Sequence, residues 1–268
     1  MTEPEAWQVT DDAADLYERS FVPAIFARSA AMLADIVGIA PGERVLDVGC
    51  GTGIVAREAV KRVGADGRVV GLDLNPQMLA VAARLAPEIE WWQGDAGDLP
   101  FEDGAFDVVV SQYALMFFPD RAQALSDMWR VLAPRGRLAV AVCGSLADAS
   151  GYRALAAEAE QVCTPEVVEL LRSPFALGDR EQLAELVRTA GIAGAEVQTL
   201  RCPVRFPSID ALVHTEVKAS PIRDVIDDRS FDALLEGARR RLAPWCSDGD
   251  GIAFALPAHV VTARKTAL

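Results

Sequence analysis

The chain has 268 residues, 51% apolar and 24% charged, with 26 Lys and Arg against 39 Asp and Glu for a formal net charge of −13. This is ordinary globular composition, enough for one large domain or a domain carrying a substantial insertion. The acidic balance argues against broad nucleic-acid binding and against an anionic membrane surface, both of which need clustered Lys and Arg.

Other classes fall on pattern. Apolar runs such as Val108–Val110 and Leu138–Cys143 stop far short of the ~20 residues of a membrane helix. The start, Met1-Thr2-Glu3-Pro4-Glu5, has neither the basic nor the apolar region of a signal peptide. Cys50, Cys143, Cys163, Cys202 and Cys246 are odd in number and widely spaced, without a C-x2-C pair. That pattern disfavours a disulfide framework or a zinc site and fits a reducing cytoplasm.

In chain order, residues 11–37 read as helix with a break at Pro23. Arg44–Val48 is a short β-branched run ending in glycines, a buried strand. Ile54–Val63 carries helical periodicity and stops at Gly64, and Arg68–Asp73 is a second strand. Asn75 is an N-cap with Pro76 at the first helical position; that helix ends before Pro87. Ile89–Gln93 and Ala105–Ser111 are the third and fourth strands. Asp120 caps a helix stopped by Pro134, and Arg137–Cys143 is the fifth strand. Beyond it, Tyr152–Val162 is helical, followed by an irregular part with Pro165 and Pro174. A helix over 179–190, a strand over Glu196–Phe206, two helical pieces around Pro221 and a final strand over 252–263 complete the chain.

Continuous apolar strands alternating with helices give β-α-β units and a parallel sheet covered on both faces. The expected fold is α/β: a doubly wound, seven-stranded, mostly parallel sheet with helical cap insertions. The whole of 1–268 reads as one domain. Residues 1–39 form an N-terminal helical cover, and the inserts 144–178 and 208–250 lie over the same end of the sheet.

The densest chemical signal is V-L-D-V-G-C-G-T-G over 45–53. A glycine-rich turn after the first strand brings bare backbone to a ligand and aims helix N–H groups at it. The dinucleotide fingerprint G-x-G-x-x-G would need glycine where Ile54 stands. Asp73, ending the second strand, suits the two hydroxyls of a ribose, which identifies an adenosine-type ligand without choosing one. Gly94-Asp95-Ala96 does choose: Asp95 is placed to accept from an adenine amino group, and the Ala96 N–H to donate to a ring nitrogen.

The ordered set V-L-D-V-G-C-G-T-G (45–53), G-L-D-L-N-P-Q-M-L (71–79), Q-G-D-A (93–96), F-D-V-V-V-S-Q (106–112) and R-V-L-A-P-R-G (130–136) resembles a class I S-adenosylmethionine-dependent methyltransferase of the ubiquinone/menaquinone-biosynthesis (type 11) branch. The ending A-L-P-A-H-V-V-T-A-R-K (255–265) is similar to the last strand of many bacterial relatives. The resemblance makes 40–143 the cofactor-binding core, with S-adenosylmethionine as cofactor and S-adenosylhomocysteine as product. It places Asp47 and Gly49 at the methionine amino group, and Gly49, Cys50, Gly51 and Gly53 in the loop against methionine and ribose. Asp73 goes to the ribose hydroxyls, Leu74 and Met78 to the adenine, Asp95 and Ala96 to the adenine edge, and Ser111 and Gln112 to the sulfonium end. Tyr17 and Phe21 close over methionine or substrate. Two departures stand out: Arg135-Gly136 where many relatives have two glycines, and Cys143 where relatives often carry Trp.

Among unassigned residues, His214 is the candidate general base or substrate contact. His259 reads as structural, Trp91 and Trp92 as packing on the sheet, and Arg239-Arg240-Arg241 as a solvated helical face. No metal constellation is visible. The expected function is in-line transfer of a methyl group to a small-molecule acceptor (quinol, polyketide or other metabolite) by a monomer or homodimer, with no nucleic acid and no membrane span. The alternatives are a non-methylating enzyme of the same fold, decarboxylase- or cyclase-like, a non-catalytic regulatory module, and a nicotinamide-dependent oxidoreductase, which Ile54 and the Asp95 motif oppose.

Overall fold

A computed structural model describes residues 10–246 and 251–267. The acidic start Met1–Glu5 and the end of the second insert, 247–250, lie outside the described residues. Seven strands form one sheet: β1 (Arg44–Val48), β2 (Arg68–Asp73), β3 (Glu90–Gln93), β4 (Phe106–Gln112), β5 (Leu132–Cys143), β6 (Glu196–Phe206) and β7 (Ile252–Arg264). Their order is β3-β2-β1-β4-β5-β7-β6. Strands β1 to β5 are parallel, and β7 runs antiparallel to both β5 and β6. The direction of winding reverses between β1 and β4, which is where such sheets open a crevice beyond their carboxyl ends.

Alternation along each strand sends side chains to two cores. Leu46, Val70, Val109 and Leu138 join one cluster, and Val45, Val69, Val108 and Ala139 join the other. The second cluster is closed by α2 (Ala27–Val37) and α3 (Ile54–Val63), through Ala30, Leu33, Ala56 and Ala59. The first takes residues of α5 (Arg121–Val131), α8 (Arg180–Thr189) and the inserted helices α6 (Ser150–Val162), α7 (Pro165–Arg172), α9 (Ile209–Lys218) and α10 (Asp228–Leu242). The remaining helices are α1 (Asp11–Leu16) and α4 (Pro76–Leu85).

Four local expectations are corrected. Pro23 does not break the N-terminal helix: Tyr17–Phe26 is a π-helix joining α1 to α2, and the Ala27 N–H reaches the Val22 carbonyl. The wider turn absorbs the missing proline donor, and Pro23 sits on the exposed side. Asp12–Val37 is therefore one helical stretch long and apolar enough to cross a membrane by length and composition, although half of its most apolar window is buried inside the molecule. Pro165 begins a helix, since Thr164 caps α7 and a first-position proline gives up only a donor the helix leaves orphaned. Finally, β5 begins five residues early, at Leu132. Its register with β4 slips between Phe106–Leu132 and Val108–Arg137, around Pro134 and the left-handed Arg135 (φ 67°).

Candidate active site

The carboxyl ends of β1, β2 and β4, the loops after them and the inserted helices enclose one large cavity, with about 1510 Å³ of empty space counted out to its open mouth.

One half is built by the glycine loop. Gly49 and Gly51 take left-handed backbone (φ 67° and 54°), which lets the chain turn sharply from β1 into α3 beside the cavity. The loop is tied to β2: Gly49 and Cys50 donate to the Leu72 carbonyl, and Gly51 donates to Asp73 Oδ2 at 2.7 Å. Asp73 Oδ1 accepts from the Asn75 N–H at 2.8 Å. Asn75 in turn caps α4 through the N–H groups of Gln77 and Met78. Burial raises the Asp73 carboxyl pKa, and these backbone donors pull it back toward the ionised form.

Asp47 is 1% exposed. Its Oδ2 accepts from Ala56 N–H in the first turn of α3 at 2.9 Å, while Oδ1 is buried without a partner among the described residues. Burial, with Asp73 nearby, pushes its pKa up to about 7 against the Ala56 bond. A buried orphaned acceptor of this kind is costly unless a ligand supplies a donor or a cation. Gln112 repeats the pattern: Nε2 donates to the Phe26 carbonyl at 3.4 Å, and Oε1 is buried and unpartnered among the described residues.

Leu74, Met78, Gly94, Asp95 and Ala96 line the mouth side. Met78 and Ala96 are buried in the wall, Leu74 is 46% exposed, and the exposed Asp95 bonds the Gly97 N–H through Oδ1. From the π-helix, Tyr17 and Phe21 line the cavity, with Tyr17 stacked on Phe26 and edge-on to Phe21. Burial beside Asp73, Glu18 and Asp47 holds the Tyr17 phenol protonated.

Three expected site residues stand outside the cavity. Ser111 is fully buried, facing the sheet side opposite Gln112 because neighbours on a strand alternate. Gly53 packs against the Trp91 ring. His214 is exposed and meets the edge of Phe231 at 4.9 Å. His259 is structural, bonded to Thr199 Oγ1 and the Gly178 carbonyl. Among the described residues no His, Cys, Asp and Glu group is arranged to hold a metal.

The other half of the cavity lies under the inserts expected to cover the sheet end, but of its residues the sequence singles out only Cys143. Cys143, Tyr152, Leu171, Phe175, Glu216 and Leu256 form a mostly apolar wall. Tyr152 donates to Glu216 Oε1 at 2.6 Å, and burial raises the Glu216 pKa to about 7 against that bond. One signal was available: Glu216 lies three and four residues after Val213 and Leu212, on the apolar face of its helix.

Residues 46–140 match the model of a methyltransferase domain family. The chain is 34% identical over 224 residues to nocamycin O-methyltransferase of Saccharothrix syringae, covering 76% of this chain and 78% of that protein. It is 43% identical over 110 residues to demethylmenaquinone methyltransferase of Renibacterium salmoninarum, but over only 41% of this chain and 45% of the relative. The fold matches phosphoethanolamine N-methyltransferase 2 of Haemonchus contortus with a TM-score of 0.62 at 21% identity, over 96% of this chain and 58% of that one.

Proposed function

The chain belongs to the S-adenosylmethionine-dependent methyltransferases, and from that premise we propose that it methylates an apolar small molecule, a quinol, polyketide or similar metabolite, enclosed beneath the inserted helices. The observation that carries this reading is the division of the cavity into a carboxylate-rich half and an apolar half. The residues of the first half fit the cofactor: Asp47 Oδ1 is an unmet acceptor for its ammonium group, and a Cβ on Gly51 would meet nothing closer than the Tyr17 hydroxyl at 4.0 Å.

Asp47 would hold the ammonium group, Asp73 the ribose hydroxyls, and Leu74, Met78, Asp95 and Ala96 the adenine. The bound cofactor supplies an activated methyl group on a sulfonium, so the chemistry needs no further activation of the donor. The chain's task is alignment and exclusion of water. Tyr17, Phe21 and Phe26 cover the cavity, and Gln112 reaches it from the end of β4. Such positioning can supply roughly 7–11 kcal/mol of barrier reduction. The relative named as an O-methyltransferase supports oxygen as the nucleophile. Five free thiols support a reducing compartment such as the cytoplasm.

The test is calorimetric titration of the protein and of Asp73→Ala with S-adenosylmethionine and S-adenosylhomocysteine, followed by mass detection of methylated product from a quinol and polyketide panel. Micromolar binding by the parent, weakened at least tenfold in Asp73→Ala, is expected. Absence of binding by the parent would overturn the reading. Binding without S-adenosylhomocysteine production from any acceptor would favour a non-methylating reaction.

A further inference from the structure

The apolar half of the cavity contains an acid that cofactor binding does not use. Glu216 lines it from α9, and its neighbours on that helix face, Leu212, Val213 and Val217, are buried in the core. The 2.6 Å bond from Tyr152 on α6 fixes one carboxylate oxygen. Among the described residues no cation pairs with Glu216 and nothing bonds Oε2. A carboxylate kept in an apolar wall with a free oxygen costs solvation unless a ligand meets it.

Glu216 lines the same cavity as Tyr17, Asp47 and Asp73, with Cys143, at the end of β5, also in its wall. The charge of Glu216 bears on that thiol, and the same thiol bears on Tyr17, which stands beside Asp73 and Asp47. The two halves of the cavity therefore meet at Cys143, within electrostatic reach of Glu216.

We propose that Glu216 is the proton acceptor for a hydroxyl-bearing apolar acceptor, with Tyr152 as its positioning residue, so that this chain performs O-methylation of a weakly acidic phenol or enol. This rests on the cavity holding S-adenosylmethionine in its other half. An oxygen lone pair forms the new O–C bond, the S–C bond breaks with its electron pair left on sulfur, and the hydroxyl proton passes to Glu216 Oε2. A sulfonium and a carboxylate become a thioether and a carboxylic acid, so charge balances, and the acid returns its proton to water when product leaves. A weakly basic aromatic amine arrives with a free lone pair and needs no such base, so the free carboxylate oxygen favours a hydroxyl acceptor over it.

The test uses 4-nitrophenol as a probe of the acceptor half in protein loaded with S-adenosylhomocysteine, at a pH where the free phenol is ionised and yellow. The parent cannot hold two anions together in this wall. Binding of the yellow anion is therefore expected to take up about one proton per site onto Glu216, read as buffer-dependent heat. Glu216→Gln should bind the coloured anion with no proton uptake, while its affinity for S-adenosylhomocysteine stays within twofold of the parent and certifies the fold. Tyr152→Phe keeps the acid without its donor and should retain the proton uptake, displaced to higher pH. Equal proton uptake by parent and Glu216→Gln, an undisplaced Tyr152→Phe profile, or no binding of millimolar 4-nitrophenol by the loaded parent would each overturn the proposal. If the parent fails to bind S-adenosylhomocysteine at all, the methyltransferase reading fails with it; normal loading with a failed probe result removes Glu216 alone.

Discussion

Gly53 lies against the outer rim of the Trp91 indole: a Cβ on Gly53 would stand 2.3 Å from ring carbon Cη2, and its backbone is left-handed at φ 84°. The ring is pinned by its Nε1 donating to the Ala86 carbonyl at 2.9 Å, and it also covers Gly71. The third glycine of the loop thus serves the packing of α3 onto the sheet. Gly53→Ala should lower stability by about 2–4 kcal/mol, since overpacking and a left-handed β-carbon add. Adding Trp91→Ala should cost less than the sum of the two single changes, because it removes the clash. Chemical denaturation of the three variants checks both statements.

Asp47 ties stability to pH. Its ordinary value is 3.8 and in the folded protein it is about 7, so the folded state holds a proton that the unfolded chain has released across that window. This stabilisation is full below pH ~4 and is lost as pH rises through about 7. Melting temperatures of the ligand-free protein should fall over that range more steeply than those of Asp47→Asn. An ammonium group at Oδ1 favours the carboxylate, so saturating S-adenosylmethionine should flatten the slope in the parent.

Methyl transfer should follow the ionisation of Glu216. A base must be unprotonated, so kcat/KM should rise with pH through about 7. The titratable groups around it are Tyr152, Cys143 and Tyr113, all held protonated by burial in this range. Tyr152→Phe removes the bond that favours the carboxylate and should move the rising limb to higher pH. Stopped assays across pH 5–9 with any active acceptor read the shift.

Arg135 occupies left-handed backbone (φ 67°) at the exposed register slip within β5, its N–H bonded to the Lys265 carbonyl. Arg135→Gly removes the β-carbon penalty and should stabilise by about 1 kcal/mol or less, since glycine also frees the unfolded chain. A rise of a few degrees in melting temperature, with unchanged cofactor affinity, is the expected result.

The half of the cavity built by the glycine loop was legible because it is local. Asp47, the glycines, Asp73 and Asp95 each sit at a strand end, where short-range pattern fixes both element and position. Arg44–Val48, Ile54–Val63 and Arg68–Asp73 appear at the expected bounds for the same reason. The acceptor half is assembled from α6, α7 and α9, whose placement depends on long-range packing. His214 and Glu216 illustrate the difference. Two residues apart on one helix, they point about 200° apart, and only the unremarked acid turns inward. Ser111 failed against Gln112 in the same way, by the period of a strand. Pro23 and Pro165 misled because proline's meaning depends on whether its missing N–H had a partner to lose.

The position of β7 between β5 and β6 governs the order of assembly during synthesis. When β6 leaves the ribosome it has no neighbour to pair with, because the strand that separates it from β5 comes about fifty residues later, after two helices that cover the cavity. The cap is therefore translated before the sheet beneath it can close. Until β7 inserts, the facing edges of β5 and β6 are both unpaired, and edges of that kind recruit other chains. Insertion of the last strand seals both facing edges in one event, leaving only the outer edges of β3 and β6, and the same step sets Leu256 into the apolar wall of the cavity.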